Sequence, residues 1–165
     1  MTADKIYLVG FMGAGKTTVA RALARRLGWT AFDIDAAIEK REHQTVAALF
    51  AKRGEPYFRA IERDVLTEQV GVRHVVVATG GGTYVDAQNR SLINADGVSI
   101  WLDVPLERLV ARVPADGRRP LAADRNAFEQ LYLARRSAYE QATHRVDAGL
   151  VGVEALAEEI LDRLT

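Results

Sequence analysis

One hundred and sixty-five residues, 48% hydrophobic and 27% charged, suit one folded domain with a full core and an ordinary charged surface. Lysine plus arginine equal aspartate plus glutamate at 22 each, so no bulk field draws the chain to nucleic acid or to an acidic membrane surface. Cysteine is absent, which excludes disulfides and thiolate metal sites; with no apolar run near membrane-spanning length and no signal-peptide pattern, a cytoplasmic location is expected.

The chain opens on an apolar, β-branched run from Ile6 to Val9 that feeds directly into Gly10-x4-Gly15-Lys16-Thr17. This is the pattern of a phosphate-binding P-loop. Gly10, Gly13 and Gly15 permit turns closed to residues with a Cβ, so that successive N–H groups converge on one anion. Lys16 adds a mobile point charge, and the Thr17 hydroxyl is a Mg²⁺ ligand type. Val19, Leu23 and Leu27 then recur every four residues before Gly28, which reads as an amphipathic helix with a glycine stop. Its N-terminus would aim a positive dipole end at the same anion.

A short strand-like segment follows over residues 30–35, ending in Asp33-Ile34-Asp35, and a polar helix runs to about Glu42. Alternation along an extended chain places Asp33 and Asp35 on one side. At a strand's carboxyl end they could serve a metal's hydration shell and an acceptor hydroxyl, or they could be a polar strand end with a helix cap. Thr45 opens a short helix closed by Gly54, and Pro56 begins another whose buried face carries Phe58, Ile61 and Val65. Arg59, near that helix start, opposes the helix dipole, so it is either a solvated charge or the partner of an anion.

Val75 to Thr79 is a continuous β-branched run suited to a strand buried on both faces. Gly80-Gly81-Gly82 follows, as a flexible turn or as backbone passing close to a substrate whose hydroxyls meet bare N–H groups. Asp86 caps a helix through Ile93, residues 98–103 form a strand, and residues 105–112 form a helix. Residues 113–125 are the longest polar, breaker-rich stretch. They read as an exposed basic loop, or as a lid that brings a guanidinium to a transferring phosphoryl group. Arg112, just before it, could stack on a nucleobase. A helix over about 126–142, a short strand near 145–148 and a last helix with Leu156, Ile160 and Leu164 on one face complete the chain. Five strands separated by helices imply a parallel α/β sheet covered on both sides.

Taken together, Gly-Phe-Met-Gly-Ala-Gly-Lys-Thr at 10–17, Phe-Asp-Ile-Asp at 32–35, Gly-Glu-Pro-Tyr-Phe-Arg with Glu at 54–62, Ala-Thr-Gly-Gly-Gly at 78–82, Arg-Pro-Leu at 119–121 and Arg-Arg-Ser-Ala-Tyr at 135–139 resemble the shikimate kinases, a group of P-loop small-molecule kinases similar to nucleoside-monophosphate kinases. The resemblance covers nearly the whole chain. It implies a three-layer P-loop kinase fold over residues 1–165, with a five-stranded parallel sheet in 2-3-1-4-5 order, a mobile lid at about 113–124 and a substrate-binding region at about 33–62. It implies transfer of the ATP γ-phosphoryl to the 3-hydroxyl of shikimate, on the route to chorismate and the aromatic amino acids.

By the same resemblance, Gly13, Ala14, Gly15, Lys16, Thr17 and Thr18 hold the ATP phosphates, and Arg112 and Arg119 also contact the nucleotide. Thr17 and Asp33 serve Mg²⁺. Asp35, Lys16 and Arg119 carry the catalysis. Asp35, Arg59, Gly80, Gly81, Gly82 and Arg135 bind shikimate, with Phe50 and Phe58 as apolar walls and Arg135 chosen over Arg136. Two departures stand out: members often carry Pro where this chain has Gly149-Leu-Val-Gly-Val153, and Pro at the position of Ser137. The implied partner is a small molecule, with no nucleic acid or membrane, and the expected state is a monomer. A gluconate kinase on the same scaffold is the nearest alternative. A nucleotide-controlled switch needs a guanine-reading Asn-Lys-x-Asp, which the chain lacks.

Overall fold

The computed structural model describes residues 3–112 and 125–165. The lid assigned to about 113–124, with Arg119, lies outside the described residues. Five strands form one parallel sheet: β1 (Lys5–Val9), β2 (Thr30–Asp33), β3 (Val75–Ala78), β4 (Val98–Asp103) and β5 (His144–Asp147). Their order is β2-β3-β1-β4-β5, as the resemblance implied. Ile6 is in register with Val76 on one side and Val98 on the other. Ile6, Tyr7, Leu8 and Val9 are all fully buried. Successive side chains on a strand point to opposite faces, so the central strand is covered on both.

The helices are α1 (Lys16–Leu27), α2 (Ile34–Glu42), α3 (Val46–Gln69), α4 (Ala87–Asp96), α5 (Leu106–Arg112), α6 (Arg125–Tyr139) and α7 (Val153–Leu164). α1 lies over β2 and β3 and packs against α7. Its Val19 and Leu23 are buried, while Leu27 is only half-buried at the rim. Thr45 and Asp86 cap α3 and α4 as the sequence implied, accepting the backbone N–H groups of Ala48 and Asn89.

Three boundaries differ from the sequence reading. α3 is continuous in span, but Gly54 has non-helical φ/ψ (81°, 169°), so two helical pieces meet at a kink and Pro56 sits in the first turn of the second. α6 ends at Tyr139, three residues early, because β5 begins at His144 and the chain must turn between them. Asp33 ends β2, but Asp35 lies in the first turn of α2, so the alternation argument for that pair does not hold.

The segments that follow β1, β2 and β3 lie at the carboxyl ends of the strands, where ligands bind in open parallel sheets. At the opposite end the sheet closes on a charged cluster. Lys5, fully buried, reaches Asp96 at 2.6 Å and donates to the Gln69 carbonyl. Tyr7 donates to Asp96 at 2.6 Å, and Arg73 and the Gly71 N–H also converge there. Burial alone would raise the Asp96 pKa; the hydrogen bonds from Lys5, Tyr7, Gly71 and Arg73 outweigh it and hold the carboxyl at about 2. Asp96→Ala is expected to lower unfolding free energy by about 3–5 kcal/mol in urea denaturation, because Lys5 is left buried without its counter-charge. In the wild type this contribution is full above the ordinary aspartate range and is lost as pH falls through about 2.

Candidate active site

The anion cradle follows β1. Gly10 (φ 148°) must turn past the neighbouring strand, and a Cβ there would stand 2.9 Å from the Leu102 carbonyl oxygen. α1 then starts at Lys16, behind Gly15. Lys16 is largely buried, and its ammonium donates to the carbonyls of Gly10 at 2.6 Å and Phe11 at 2.9 Å. In this form the lysine closes on its own loop. Ala14 is buried behind the loop and Thr18 is exposed beside it.

Beside the loop opens a cleft of about 640 Å³, within the usual range for a small-molecule site. Gly13 and Thr17 line it together with Asp33, Asp35, Arg59, Gly80, Gly81, Gly82, Arg112 and Arg135. Residues from six separate segments are thereby gathered at one place. Phe50 and Phe58 form an apolar wall, with ring centroids 4.8 Å apart.

The two aspartates have different surroundings. Asp33 caps α2 by accepting the Ala36 N–H at 2.9 Å, and its other oxygen accepts the Thr17 hydroxyl. Cap and metal-side readings therefore coincide in one residue. Thr17 and Asp33 are hard oxygen donors beside a phosphate loop, the donor set that Mg²⁺ uses when phosphates and water supply its other positions. Asp35 has a buried oxygen, Oδ1, with no hydrogen-bond partner among the described residues. Burial, reinforced by the charges of Asp33 and Glu62 and partly offset by Lys16, pushes its carboxyl up to about 6. A buried acceptor without a donor is costly, and a ligand hydroxyl would satisfy it.

The glycine triplet explains itself sterically. A Cβ on Gly80 would lie 2.7 Å from Asp35 Oδ1, one on Gly81 3.2 Å from the Arg135 guanidinium, and one on Gly82 2.4 Å from that of Arg59. Each glycine makes room for one charged group. None of the three has a positive φ, so space and not backbone freedom is the demand. The Gly80 N–H, which sequence reasoning offered to a substrate, is already held by Thr83 Oγ1 at 2.9 Å.

Arg59 donates to both oxygens of Glu62, at 3.0 and 3.1 Å. Burial works against its charge, and the Glu62 carboxylate more than restores it. Arg135 has no ion pair among the described residues; its guanidinium lies 5.8 Å over the Phe11 ring. Burial lowers its pKa below the usual arginine range; the Tyr139 oxygen opposes this shift and the Arg59 charge adds to it. Arg136, one residue on, turns away from the cleft. It donates to Asp103 at 3.1 Å and to Tyr132 at 2.7 Å and stacks over Trp101. Arg112 donates to the Gly13 carbonyl at 3.0 Å, tying the end of α5 to the P-loop.

Sequence reasoning gave no role to Glu62, although it stands three residues beyond Arg59 on one helix, the spacing at which side chains meet. Glu39 and Leu131 also line the cleft and had no distinguishing local pattern; Met12 and Glu55 line it from within recognised motifs that gave them no role.

Comparison with known proteins agrees with this geometry. A family model described as shikimate kinase matches residues 12–165. The shikimate kinase of Persephonella marina is 39% identical over 160 residues, covering 96% of this chain and 98% of that one. That of Thermosynechococcus vestitus is 41% identical over 162 residues, covering 96% and 86%. The structure of an Acinetobacter baumannii shikimate kinase in complex with shikimate superposes with a TM-score of 0.94 at 36% identity, covering 99% of this chain and 93% of that one. The chain belongs to the shikimate kinase family.

Proposed function

We propose that this chain, acting as one P-loop kinase domain, transfers the γ-phosphoryl of ATP to the 3-hydroxyl of shikimate, giving shikimate 3-phosphate and ADP. The observation that carries the reading is the meeting of Arg59, Arg135 and the unpartnered Asp35 oxygen on one cleft beside the P-loop. Two guanidinium forks suit one carboxylate, because each makes directed, charge-assisted hydrogen bonds. Asp35 then accepts from the acceptor hydroxyl, aligns it for in-line attack and takes up its proton. The P-loop amides from Gly13 to Thr18 bind phosphate oxygens. Lys16 exchanges the Gly10 and Phe11 carbonyls for the phosphoryl group, and Arg119 stabilises its charge from the lid. Arg112 contacts the nucleotide from the far side of the loop.

Mg²⁺ would be held by Thr17 directly and by Asp33 through water; when bound, it neutralises charge on the phosphates. The region 33–62 is the acceptor side of the cleft. A monomer working in the cytoplasm fits this reading.

The test is a coupled ADP-release assay with ATP and Mg²⁺ across shikimate, quinate, gluconate and nucleoside monophosphates. Shikimate is expected to give the highest kcat/KM, and preference for gluconate would overturn the assignment. Arg59→Ala is expected to raise the shikimate KM on the order of 10- to 100-fold, as loss of a charged hydrogen-bonded contact would, with little change in the ATP KM. An unchanged shikimate KM would remove Arg59 from the clamp.

The raised pKa of Asp35 makes two further statements. The ionised form is the active one, so kcat/KM for shikimate should fall with unit slope as pH drops below about 6. Ionising this group in the folded state also costs stability, a cost absent below about pH 4 and fully present above about pH 6. Asp35→Asn should therefore be inactive yet more stable by about 1–3 kcal/mol at pH 7.5, read by thermal or urea unfolding.

A further inference from the structure

Arg59 and Arg135 stand on different helices, carry like charge and must converge on one small anion. What sets their spacing is the turn after β3. Thr83 is fully buried; its hydroxyl donates to Glu62 Oε2 at 2.8 Å and accepts the Gly80 N–H at 2.9 Å. Glu62 in turn grips Arg59 with both oxygens. On the other side, the Tyr139 hydroxyl donates to the Gly81 carbonyl at 2.5 Å. Tyr139 stands four residues beyond Arg135 on α6, and the Arg135 guanidinium, which has no ion pair among the described residues, lies 3.2 Å from where a Cβ on Gly81 would stand. Tyr139 is itself buried, backed by Trp101 at a centroid distance of 6.0 Å. Neither Thr83 nor Tyr139 lines the cleft.

We propose that Thr83 and Tyr139 are positioning residues that fasten Arg59 and Arg135 to the glycine turn and so set the separation and aim of the two forks. The proposal rests on the reading of those arginines as the acceptor-carboxylate clamp. Thr83 acts through Glu62: without its hydroxyl, Glu62 loses a donor and is free to draw Arg59 out of line, while the Gly80 N–H is left buried and unpaired. Tyr139 acts on Arg135 through Gly81: its hydroxyl holds the turn whose α-carbon the guanidinium presses against, so that the two move together. Both act on the acceptor and leave the nucleotide side untouched.

The experiment compares wild type, Thr83→Val, Thr83→Ser and Tyr139→Phe in the full chain. Shikimate binding is measured by calorimetry without nucleotide, steady-state KM is measured for both substrates, and a melting curve is recorded for each variant. Thr83→Val and Tyr139→Phe are each expected to weaken shikimate binding about fivefold or more, the effect of one lost hydrogen bond, with the ATP KM within about twofold of wild type. Thr83→Ser, which keeps the hydroxyl, should restore binding to within about twofold.

Wild-type shikimate affinity in either variant overturns that arm, and so does a parallel rise in the ATP KM, the mark of a merely structural role. If Thr83→Val fails to fold, Thr83→Ala carries the same comparison. Arg59→Ala and Arg135→Ala serve as the reference. If they too bind shikimate normally, the clamp itself is wrong; if they lose affinity while Thr83→Val and Tyr139→Phe do not, only the positioning role falls.

Discussion

An acid and two like-charged guanidiniums can share one cleft only because residues 80–82 present no side chains. Each α-carbon of that turn receives a different group: Asp35, Arg135 and Arg59 in order. Those groups come from α2, α6 and α3, and the turn is the surface against which all three are set. The parallel sheet supplies its location. β3 ends at Ala78 between β1 and β2, so the turn emerges between the P-loop that follows β1 and the aspartate that ends β2.

Charge balance around the cleft is deliberately incomplete. Glu62 satisfies Arg59, Asp33 is satisfied by Thr17 and by the start of α2, and Lys16 is held by its own loop. Asp35 Oδ1 and the Arg135 guanidinium are the groups that gain most from a ligand. Among the described residues, one is an acceptor short of a donor, the other a half-buried cation without an acid. On the proposed reading, a hydroxylated carboxylic acid answers both at once.

Much of this was legible in the sequence. The P-loop and every strand's approximate place followed from glycine spacing and apolar runs, because such patterns are local; the strand order came only with the family resemblance. The caps at Thr45 and Asp86 were legible for the same reason. Asp33 and Asp35 were found for a reason that fails: the chain turns helical at Ile34, and helix geometry, not strand alternation, brings Asp35 to the cleft. The glycine triplet was recognised as backbone near a substrate, but its making room for three charged side chains needed the fold. Thr83 and the buried Lys5–Asp96 cluster had no local signature, and Tyr139, though inside a recognised motif, was given no role. Their partners lie as far away as 91 residues in the chain, and only the fold brings them together. The choice between Arg135 and Arg136 also needed the helix's orientation, which no window of sequence supplies.

That last pair has a consequence for how the chain can vary. Adjacent residues on an α-helix point about 100° apart. Here one guanidinium enters the cleft while its neighbour is anchored by Asp103, Tyr132 and Trp101 on another side. Replacing Arg136 alters a half-exposed edge contact. Inserting or deleting a single residue earlier in α6 would instead swing the whole downstream turn, taking Arg135 and Tyr139 off the glycine turn together. This helix is thus tolerant of drift in identity at its outer positions but not of any change in its count.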